Sequence, residues 1–431
     1  MADIQPFRAV RYNPAVAGDG SLHVCPPFDA ITPQFQQELY DRSPFNIVRL
    51  ELARRGLAED PYEKAADTFQ GWVDSGALKH EEIPSIYVTE EEFMYRGQTL
   101  VRRGFVAAVR LEDYDHEVVL PHEGTRSEWV ADRVNLMTAA QSNYSPLLVI
   151  HRDDLRSSVG NLLRAITGEV PTAVFTPPGM PQLRLWRVSD PSTIKVFQNS
   201  LKDAEIFIAD GHHRYEAALR YRSGVRAERE VGSDESINFR MMLLVSFEEP
   251  GLITRGYHRL IESATDDEYA QIVKTVESTC DLEEWTPEPS ESESQKIEAF
   301  SVALGERIGD EVVFGLYSKE PDKFYIARMK SRPPAENALE NSEYSQLHSH
   351  VIRPVISAER EEEIISPQHD AQLIARQIES GEARMAFIMR PIPLDEFVSI
   401  VTRGWRLPVK STNFYPKPPA GAVIQQFGPT L

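Results

Sequence analysis

One short stretch constrains the fold of this chain more than any other. The apolar run Ile206 to Ala209 stops at the polar sequence Asp210-Gly211-His212-His213-Arg214, and good helix formers follow from Tyr215 to Leu219. A buried strand that passes through a glycine into a helix directs the free N–H groups of the first helical turn at one point. The pattern therefore predicts a catalytic or anion-binding turn between a strand and a helix.

The residue types of this turn suit chemistry on a charged group. Gly211 permits positive φ or a close backbone approach, and Arg214 offers a fork of donors for phosphate or carboxylate. His212 and His213 titrate near neutrality, and Asp210 is able to orient an imidazole, accept a proton or hold Mg²⁺. The alternative is that Asp210 is only a helix N-cap and the histidines are surface residues. The sequence contains neither a P-loop pattern nor a dinucleotide-binding glycine pattern.

The length and charge of the chain limit its class. Its 431 residues exceed the roughly 100–200 of a typical domain, which predicts two or more packed units. Hydrophobic residues make up 41% and charged residues 26%, as in ordinary globular proteins. A net charge of -20 would repel a phosphate backbone, so nucleic acid is not an expected partner. A small anionic ligand stays open, because a local basic cluster acts within a Debye length of about 8–10 Å.

The cysteines and the apolar runs indicate the cellular compartment of the protein. Cys25 and Cys280 are too few for a disulfide scaffold or a four-cysteine metal site, which favours the reduced cytoplasm. The first residues do not resemble a signal peptide, and apolar runs such as Leu147 to Ile150 are far shorter than the roughly 20 residues of a membrane span. We therefore expect a soluble cytoplasmic enzyme without a membrane partner, and a homo-oligomer stays open.

Hydrophobic periodicity predicts an α+β fold with mixed sheets and helices. Residues 85–96 and 101–111 form a hairpin around a turn at Tyr95 to Gln98, and Asn46 to Leu50 is a short run of strand formers. The polar stretch Thr286 to Gln295 is the best linker candidate. Other strands are predicted at 147–151, 172–176, 182–188, 237–247, 312–317, 323–328, 385–390 and 421–427, and helices at 33–41, 61–78, 127–142, 191–201, within 266–305, and at 344–356 and 369–379. We expect one α+β unit at 1–235 and a second at 236–431.

A second group of polar residues lies about 90 residues before the turn. His122 and Glu123 follow a proline that ends a strand, and an imidazole beside a carboxylate suits a general base or a metal site. Asp132 and Arg133 lie in the first half of the next helix, where one pocket could hold all four residues. Arg133 would then contact a phosphate. The alternative is that Asp132 and Arg133 form an ion pair on the helix surface.

Two further segments offer charged side chains on stiff backbone. Lys410-Ser411-Thr412 and Lys417 lie among prolines near the C-terminus, and a rigid loop of this kind presents lysine to a phosphate. The alternative is a packed tail with exposed lysines. Asp29, which follows Pro26-Pro27-Phe28, is either a turn residue or a ligand of substrate or Mg²⁺. Arg49 would join it if Asn46 to Leu50 is the adjacent strand.

The segment Ile208 to Ala218 resembles the hallmark box of the domain of unknown function 1015 family. Other signature segments follow in the same order: Pro26 to Asp29, Asn46 to Leu50, Pro121-His122-Glu123 with Thr125, Asp132-Arg133, Asn143 with Ser145-Pro146, and Lys410-Ser411-Thr412 with Phe414 to Lys417. The resemblance covers essentially the whole chain. The family's Pro-Thr pair before a His-Arg is replaced here by Gly256-Tyr257 before His258-Arg259.

The D-G-H-H-R element is also similar to the phosphate-binding box of the ParB/sulfiredoxin-like superfamily, which includes cytidine-triphosphate switches, sulfiredoxin and free serine kinases. Sulfiredoxin's box carries a cysteine, whereas this one has His212 and His213, so its redox chemistry is not expected. The resemblance to the D-G-H-x-R box of the kinase branch implies a strand-turn-helix phosphate-binding element.

The residues and the resemblance together give one favoured function and two alternatives. The favoured function is a phosphotransferase that binds a nucleotide (ATP or ADP) with Mg²⁺ and acts on serine or a related hydroxy metabolite. Asp210 or Glu123 would accept the hydroxyl proton, His122, His212 or His213 would position phosphate or donate a proton, and Arg214 and Lys410 would stabilise the transferring group. Asn143, His258 and Arg259 join the expected binding residues, and the Lys410 to Lys417 segment is expected to pack back on the site. The alternatives are a hydrolase or isomerase of a phosphorylated metabolite and a non-catalytic nucleotide-sensing module.

Overall fold

The computed structural model describes residues 2–431 except 56–59, 153–157, 203, 289–291, 308–310, 320–321, 333–334 and 409. The chain divides into two compact units, residues 1–253 with 416–431, and residues 254–415. The predicted boundary at 235/236 differs from this division. The buried strand at Phe239–Ser246 pairs with strands at Gln98–Arg110 and Leu147–His151, so it belongs to the sheet of the first unit.

The strands, in chain order, are β1 (Ile4–Gln5), β2 (Val10–Tyr12), β3 (Leu78–His80), β4 (Ile86–Tyr95), β5 (Gln98–Arg110), β6 (Val119–Leu120), β7 (Ser142–Asn143), β8 (Leu147–His151), β9 (Ala173–Phe175), β10 (Gln182–Val188), β11 (Ile206–Asp210), β12 (Phe239–Ser246), β13 (Ile253–Gly256), β14 (His258–Ile261), β15 (Cys280–Trp285), β16 (Val313–Lys319), β17 (Asp322–Met329), β18 (Ile365–Gln368), β19 (Met385–Ile388), β20 (Thr412–Tyr415) and β21 (Gln425–Gln426).

The α-helices are α1 (Pro14–Ala17), α2 (Pro33–Arg42), α3 (Val48–Glu51), α4 (Pro61–Asp74), α5 (Ser127–Ala140), α6 (Ser158–Thr167), α7 (Pro191–Ser200), α8 (His212–Glu228), α9 (Asp266–Thr279), α10 (Glu293–Gly305), α11 (Ala338–Asn341), α12 (Glu343–Leu347), α13 (Ala358–Ile364), α14 (Ala371–Ser380) and α15 (Leu394–Val401), and a π-helical turn spans His348–Ile352. The mixture of sheets and helices confirms the predicted α+β class. Among the described residues, no helix is long and apolar enough to cross a membrane.

The first unit is built on a mixed sheet. Within the described part of the chain this sheet has nine strands in the order β6-β11-β8-β12-β5-β4-β10-β9, with β1 paired to β5. The β4–β5 hairpin turns at Arg96 and Gly97, both with positive φ, as the predicted turn requires. Strand β11 pairs in parallel with β6 and antiparallel with β8, with a register shift between Ile208 and Asp210. This shift lies directly before the turn that leads into α8.

The apolar residues of this sheet and of helices α5 to α8 form one continuous core. Val149, Ile208 and Met242 lie in its central strands, and Tyr215 and Ala218 of α8 pack on it. Helix α8 also packs against α5. The turn at Asp210 is therefore fixed on both sides, by a buried strand before it and a packed helix after it.

The second unit has a separate sheet and core. Its strands follow the order β15-β17-β16-β19-β14-β18, and every pair in this order is antiparallel. Phe300 of α10 and Ile374 of α14 pack on this sheet among its buried apolar residues. Strand β15 lies inside the 266–305 region for which helices were predicted. The predicted linker from Thr286 to Gln295 lies partly outside the described residues, and Ser292 caps α10 within it.

Two predicted strands differ from the structure. The run Asn46 to Leu50 leads into helix α3, because the Asn46 Oδ1 atom accepts the Val48 N–H at 3.1 Å and so begins a helical turn. This local hydrogen bond outweighs the strand preference of the β-branched residues. In the predicted strand 421–427, regular pairing covers only Gln425–Gln426, which pairs with Asn143 and Ser142.

Candidate functional site

The predicted strand-turn-helix element is present. Strand β11 is buried through Ala209, and α8 begins at His212 after Gly211, whose φ is 102°. A Cβ atom at Gly211 would lie 2.5 Å from Leu147 Cδ2 and would force that side chain to shift, and the positive φ itself favours glycine. Gly211 is the N-cap and no side chain caps the helix, so Asp210 is not the capping residue that the alternative interpretation required.

Asp210 carries a cationic partner on each carboxylate oxygen. Its Oδ2 accepts from Arg214 Nη2 at 2.6 Å, and its Oδ1 lies 2.8 Å from Lys417 Nζ. The same ammonium group donates to Asp29 Oδ2 at 2.9 Å. Lys417, Asp29 and Asp210 are only 12–15% exposed, which strengthens their charge interactions. Three of the predicted site residues thus meet in one carboxylate–ammonium–carboxylate group.

Arg214 is buried and its donors bond to the protein. Nη1 donates to Ser145 Oγ and to the Pro146 carbonyl, both at 2.9 Å, while Nη2 is held by Asp210. The Ser145 hydroxyl donates in turn to Glu51 Oε1 at 2.9 Å. Arg214 therefore fixes the position of the Asp210 carboxylate relative to the loop that precedes β8.

His122, Glu123 and His212 converge next to this turn. One ligand atom from each lies within 4.8 Å of the other two. His122 is fully buried, its Nδ1 lies 2.7 Å from the Ile208 carbonyl oxygen, and its Nε2 lies 3.6 Å from Glu123 Oε1. The His212 Nε2 atom accepts the backbone N–H of His122 at 3.3 Å, and the two rings meet edge to face. Residues about 90 positions apart in the sequence therefore form one cluster.

His213 points away from that cluster toward the start of α5. Its Nε2 accepts the backbone N–H of Arg126 at 3.0 Å, and its ring lies 4.9 Å from that of Trp129. These contacts give His213 the role of capping and packing the adjacent helix. The two neighbouring histidines of the turn thus occupy different environments.

Asp132 and Arg133 pair with each other, as one interpretation predicted, but Arg133 is buried rather than on the surface. Its Nη1 donates to the Glu51 carbonyl at 2.8 Å, and its guanidinium lies over the Phe28 ring at 4.1 Å. Tyr62 donates to Asp132 Oδ1 at 2.8 Å. Hydrophobic periodicity did not predict this burial, because an arginine in a helix gives no sign in the sequence that its side chain is buried.

Two residues of this neighbourhood were not predicted at all. Glu51 and Arg240 are buried, and Arg240 Nη2 donates to the Ser145 carbonyl at 3.0 Å. Burial, together with the positive charges of Arg214 and Arg133, lowers the pKa of Arg240 to about 9, and the Glu51 carboxylate opposes this shift. Arg240 interrupts the otherwise apolar β12, and a charge inside such a strand is the signal that could have identified it.

The remaining predicted site residues of the first unit bond to the local backbone or side chains. Arg49 Nη2 donates to the Tyr40 carbonyl at 2.7 Å, and its guanidinium stacks on the Tyr40 ring. Asn143 Nδ2 donates to Gln425 Oε1 at 2.9 Å between β7 and β21. Both residues therefore hold chain segments together.

Five predicted residues lie in the second unit. His258 Nδ1 accepts the Met389 N–H at 3.1 Å, and burial lowers the pKa of His258 to about 3. Arg259 donates to His348 Nε2 at 3.0 Å and to the Lys410 carbonyl at 2.9 Å. The Lys410 ammonium lies 5.5 Å from the centre of the Tyr257 ring. Ser411 donates to the Pro408 carbonyl at 2.7 Å, and Thr412 begins β20.

A cavity of about 650 Å³ in the first unit lies at a different place. Its walls include Arg11, Lys79, Glu81 and Arg187, and Arg11 and Arg187 both pair with Glu81. Its lining, as far as the structure describes it, contains no predicted site residue. The convergence of reactive side chains, rather than the size of a cavity, thus marks the candidate site.

The fold and site define an α+β protein with a glycine turn that delivers an aspartate and a histidine to a buried polar cluster. The chain belongs to the family described as protein of unknown function (DUF1015), which matches residues 4–353. Comparison with curated proteins gives no significant match.

Several solved structures show a loose likeness to this chain. A conserved hypothetical protein from Pyrococcus furiosus is 14% identical over 69% of this chain and 87% of its own, with a TM-score of 0.33. A free serine kinase in complex with AMP is 14% identical over 78% and 90%, with a TM-score of 0.32. SbnI from Staphylococcus aureus, with a C-terminal truncation, is 10% identical over 72% and 82%, with a TM-score of 0.34. These likenesses are too loose to indicate an activity.

Proposed function

We propose that this protein is a phosphotransferase that moves a phosphoryl group from a nucleotide to the hydroxyl of a small metabolite such as serine. One observation carries the proposal. Lys417 Nζ lies within 2.9 Å of both Asp29 and Asp210, at the turn where α8 begins without a capping side chain. A cation, two carboxylates and the N–H groups of a first helical turn are the parts that phosphoryl transfer needs.

The ammonium group of Lys417 would exchange partners when a nucleotide binds. A terminal phosphate carries more negative charge than one carboxylate, so Lys417 would turn from Asp210 Oδ1 to the phosphate. This exchange leaves Oδ1 of Asp210 without its cation, while Oδ2 stays fixed by Arg214 at 2.6 Å. Asp210 would then be an oriented base whose basicity rises only when the nucleotide is in place.

In the transfer, the acceptor hydroxyl attacks the terminal phosphorus and the bond from that phosphorus to the bridging oxygen breaks. The hydroxyl proton goes to Asp210 Oδ1, and the nucleotide leaves one phosphate shorter. Lys417 and the N–H groups at the start of α8 would stabilise the charge of the transferred group. Mg²⁺ that accompanies a nucleotide prefers carboxylate oxygens, and Asp29 would supply one while Asp210 acts as the base.

Turnover and thermal stability test the proposal together. With Mg²⁺, ATP or ADP should raise the melting temperature, and product should form only with a small hydroxylated acceptor, serine being the first to try. We expect Asp210→Asn to lower turnover by about 10²–10⁴-fold, the usual loss when a general base is removed. Lys417→Met should weaken nucleotide binding, while Lys195→Met, an exposed lysine on α7, should change neither.

Other outcomes would replace the proposal. Hydrolysis of a phosphorylated compound without an acceptor would indicate a hydrolase, and conversion without loss of phosphate an isomerase. Nucleotide binding without turnover of any acceptor would indicate a nucleotide-sensing module. If no phosphorylated compound stabilises the protein, the site does not bind phosphate.

A further inference from the structure

We infer that His122, Glu123 and His212 form a binding site for a divalent transition metal ion, with Zn²⁺ as the best-fitting ion. Two imidazoles and one carboxylate bring their ligand atoms within 4.8 Å of one another. No other group of three such side chains is found in the part of the chain that the structure describes. The inference does not depend on phosphotransferase activity, because it concerns binding alone.

The hydrogen bond of His122 to the backbone sets its tautomer. The Ile208 carbonyl only accepts, so the 2.7 Å contact with Nδ1 places the proton on Nδ1 and leaves the lone pair on Nε2. A metal-binding histidine ordinarily has its second nitrogen held in this way by a carbonyl or carboxylate. The carbonyl belongs to β11, which pairs with β6 on one side and with β8 on the other. The His122 ring is therefore oriented by a strand inside the sheet.

The spacing of the ligand atoms of His122 and Glu123 suits a shared ion. His122 Nε2 and Glu123 Oε1 are 3.6 Å apart. Two ligands about 2.0–2.1 Å from a tetrahedral Zn²⁺ lie roughly 3.3–3.4 Å from each other. The two atoms therefore need to approach by only a few tenths of an ångström.

His212 completes the set from the first residue of α8. Its Nε2 accepts the His122 N–H at 3.3 Å, so that nitrogen carries a lone pair. This hydrogen bond is long and therefore weak. Little stability is lost if the His212 ring turns toward an ion and the bond breaks. Gly211 fixes where α8 begins and hence the place from which the His212 side chain extends.

The donor set selects the kind of ion. Nitrogen ligands favour Zn²⁺ and its neighbours in the first transition row, whereas Mg²⁺ prefers oxygen ligands alone. Three protein ligands leave a fourth position for water or a substrate atom, as catalytic zinc sites do. Glu123 is 11% exposed, so solvent contacts the cluster on the side of this carboxylate.

Metal binding to the full chain tests the inference directly. The metal-free protein is titrated with Zn²⁺ by calorimetry and with Co²⁺ by visible absorption, which reports coordination geometry. We expect one ion per chain and an intense Co²⁺ spectrum that excess Mg²⁺ does not remove. Glu123→Gln and His212→Asn should each weaken Zn²⁺ binding by about tenfold or more, and circular dichroism should show that both variants keep the fold.

A surface histidine supplies the matched control. His116 Nδ1 lies 2.7 Å from Glu112, but its side chain is 59% exposed, and among the described residues the pair belongs to no group of three possible metal ligands. His116→Ala should leave Zn²⁺ affinity unchanged. The inference is overturned if the wild type binds neither ion, or if folded Glu123→Gln and His212→Asn bind Zn²⁺ as tightly as the wild type. Neither result depends on whether the protein transfers phosphate.

Discussion

Lys417 Nζ lies 2.8 Å from Asp210 Oδ1, although the two residues are separated by almost half of the chain. Lys417 belongs to the C-terminal segment 416–431, which returns to the first unit after the second unit is complete. The chain therefore closes its first unit with its last residues. Because Lys417 belongs to this segment, the carboxylate–ammonium–carboxylate group at Asp210 forms only when the whole first unit is assembled.

Arg214 is predicted to stabilise the folded protein even when no ligand is bound. Its guanidinium is 3% exposed and bonds to Asp210, Ser145 and Pro146. Arg214→Ala leaves these groups without their donor, and breaking a buried ion pair costs about 3–5 kcal/mol. Urea unfolding of the variant should show this loss. Arg220→Ala, on the exposed face of the same helix, should cost less than about 1 kcal/mol. An Arg214→Ala protein of wild-type stability that no longer binds nucleotide would assign the arginine to the ligand instead.

Gly211 is predicted to tolerate no side chain. Its φ of 102° is unfavourable for other residues, and a Cβ would lie 2.5 Å from Leu147 and 3.0 Å from the Arg214 guanidinium. Backbone strain of this kind costs about 1–2 kcal/mol, and the clash adds to it. Gly211→Ala should therefore lower the free energy of unfolding by more than about 2 kcal/mol. Gly76→Ala separates the two effects, because Gly76 also has positive φ (74°) but open space around it. Equal losses in the two variants would show that the contact with Leu147 does not matter.

The local parts of this fold were predictable from sequence. The run Ile206 to Ala209 has the length and composition of a buried strand. The glycine and the helix formers that follow it predict a turn into a helix. The same holds for the β4–β5 hairpin, where the break at Arg96-Gly97 separates two β-rich runs. Asn46 was misread because its side chain begins a helical turn, which depends on a single hydrogen bond rather than on a periodic pattern.

The charge partners within the site were less predictable. The sequence identifies several polar residues in stiff or strand-ending segments, namely His122, Glu123, Asp29 and Lys417. No sequence pattern predicts that Lys417 pairs with Asp29. Arg133 and Arg240 are buried through long-range contacts with Glu51 and Ser145, and the sequence around each does not encode these partners. The unit boundary was placed too early because strand β12 joins a sheet whose other strands lie far back in the chain.

The buried pair of Glu91 and Arg102 is predicted to be a weak point of the first sheet when only one partner is changed. Arg102 is 0% and Glu91 2% exposed, and Arg102 Nε donates to Glu91 Oε2 at 2.8 Å. Glu91→Leu or Arg102→Met alone leaves a buried charge without its partner, which costs about 3–5 kcal/mol. The double variant removes both charges and should recover most of that loss in urea unfolding. Strictly additive losses would show that the two side chains do not stabilise each other.

Glu396 on α15 gives the second unit a pH-dependent stability. Burial, and after it the nearby carboxylate of Glu343, raises the pKa of Glu396 from 4.5 to about 7. The folded state thus binds this proton more tightly than the unfolded state, so stability is lost as pH rises from about 4.5 to 7 and the loss is complete above that range.

Replacing this carboxyl with an amide should remove the effect. A shift of this size corresponds to at most about 3–4 kcal/mol, and partial exposure reduces it to about 1–3 kcal/mol. Glu396→Gln should therefore stabilise the protein by that amount at pH 8 and leave its stability nearly unchanged at pH 4, as measured by urea unfolding. Glu382→Gln, at an exposed position of the second unit away from Glu396, should show no such difference between the two pH values. If Glu396→Gln is equally stabilising at pH 4 and pH 8, the gain does not come from the ionised carboxylate.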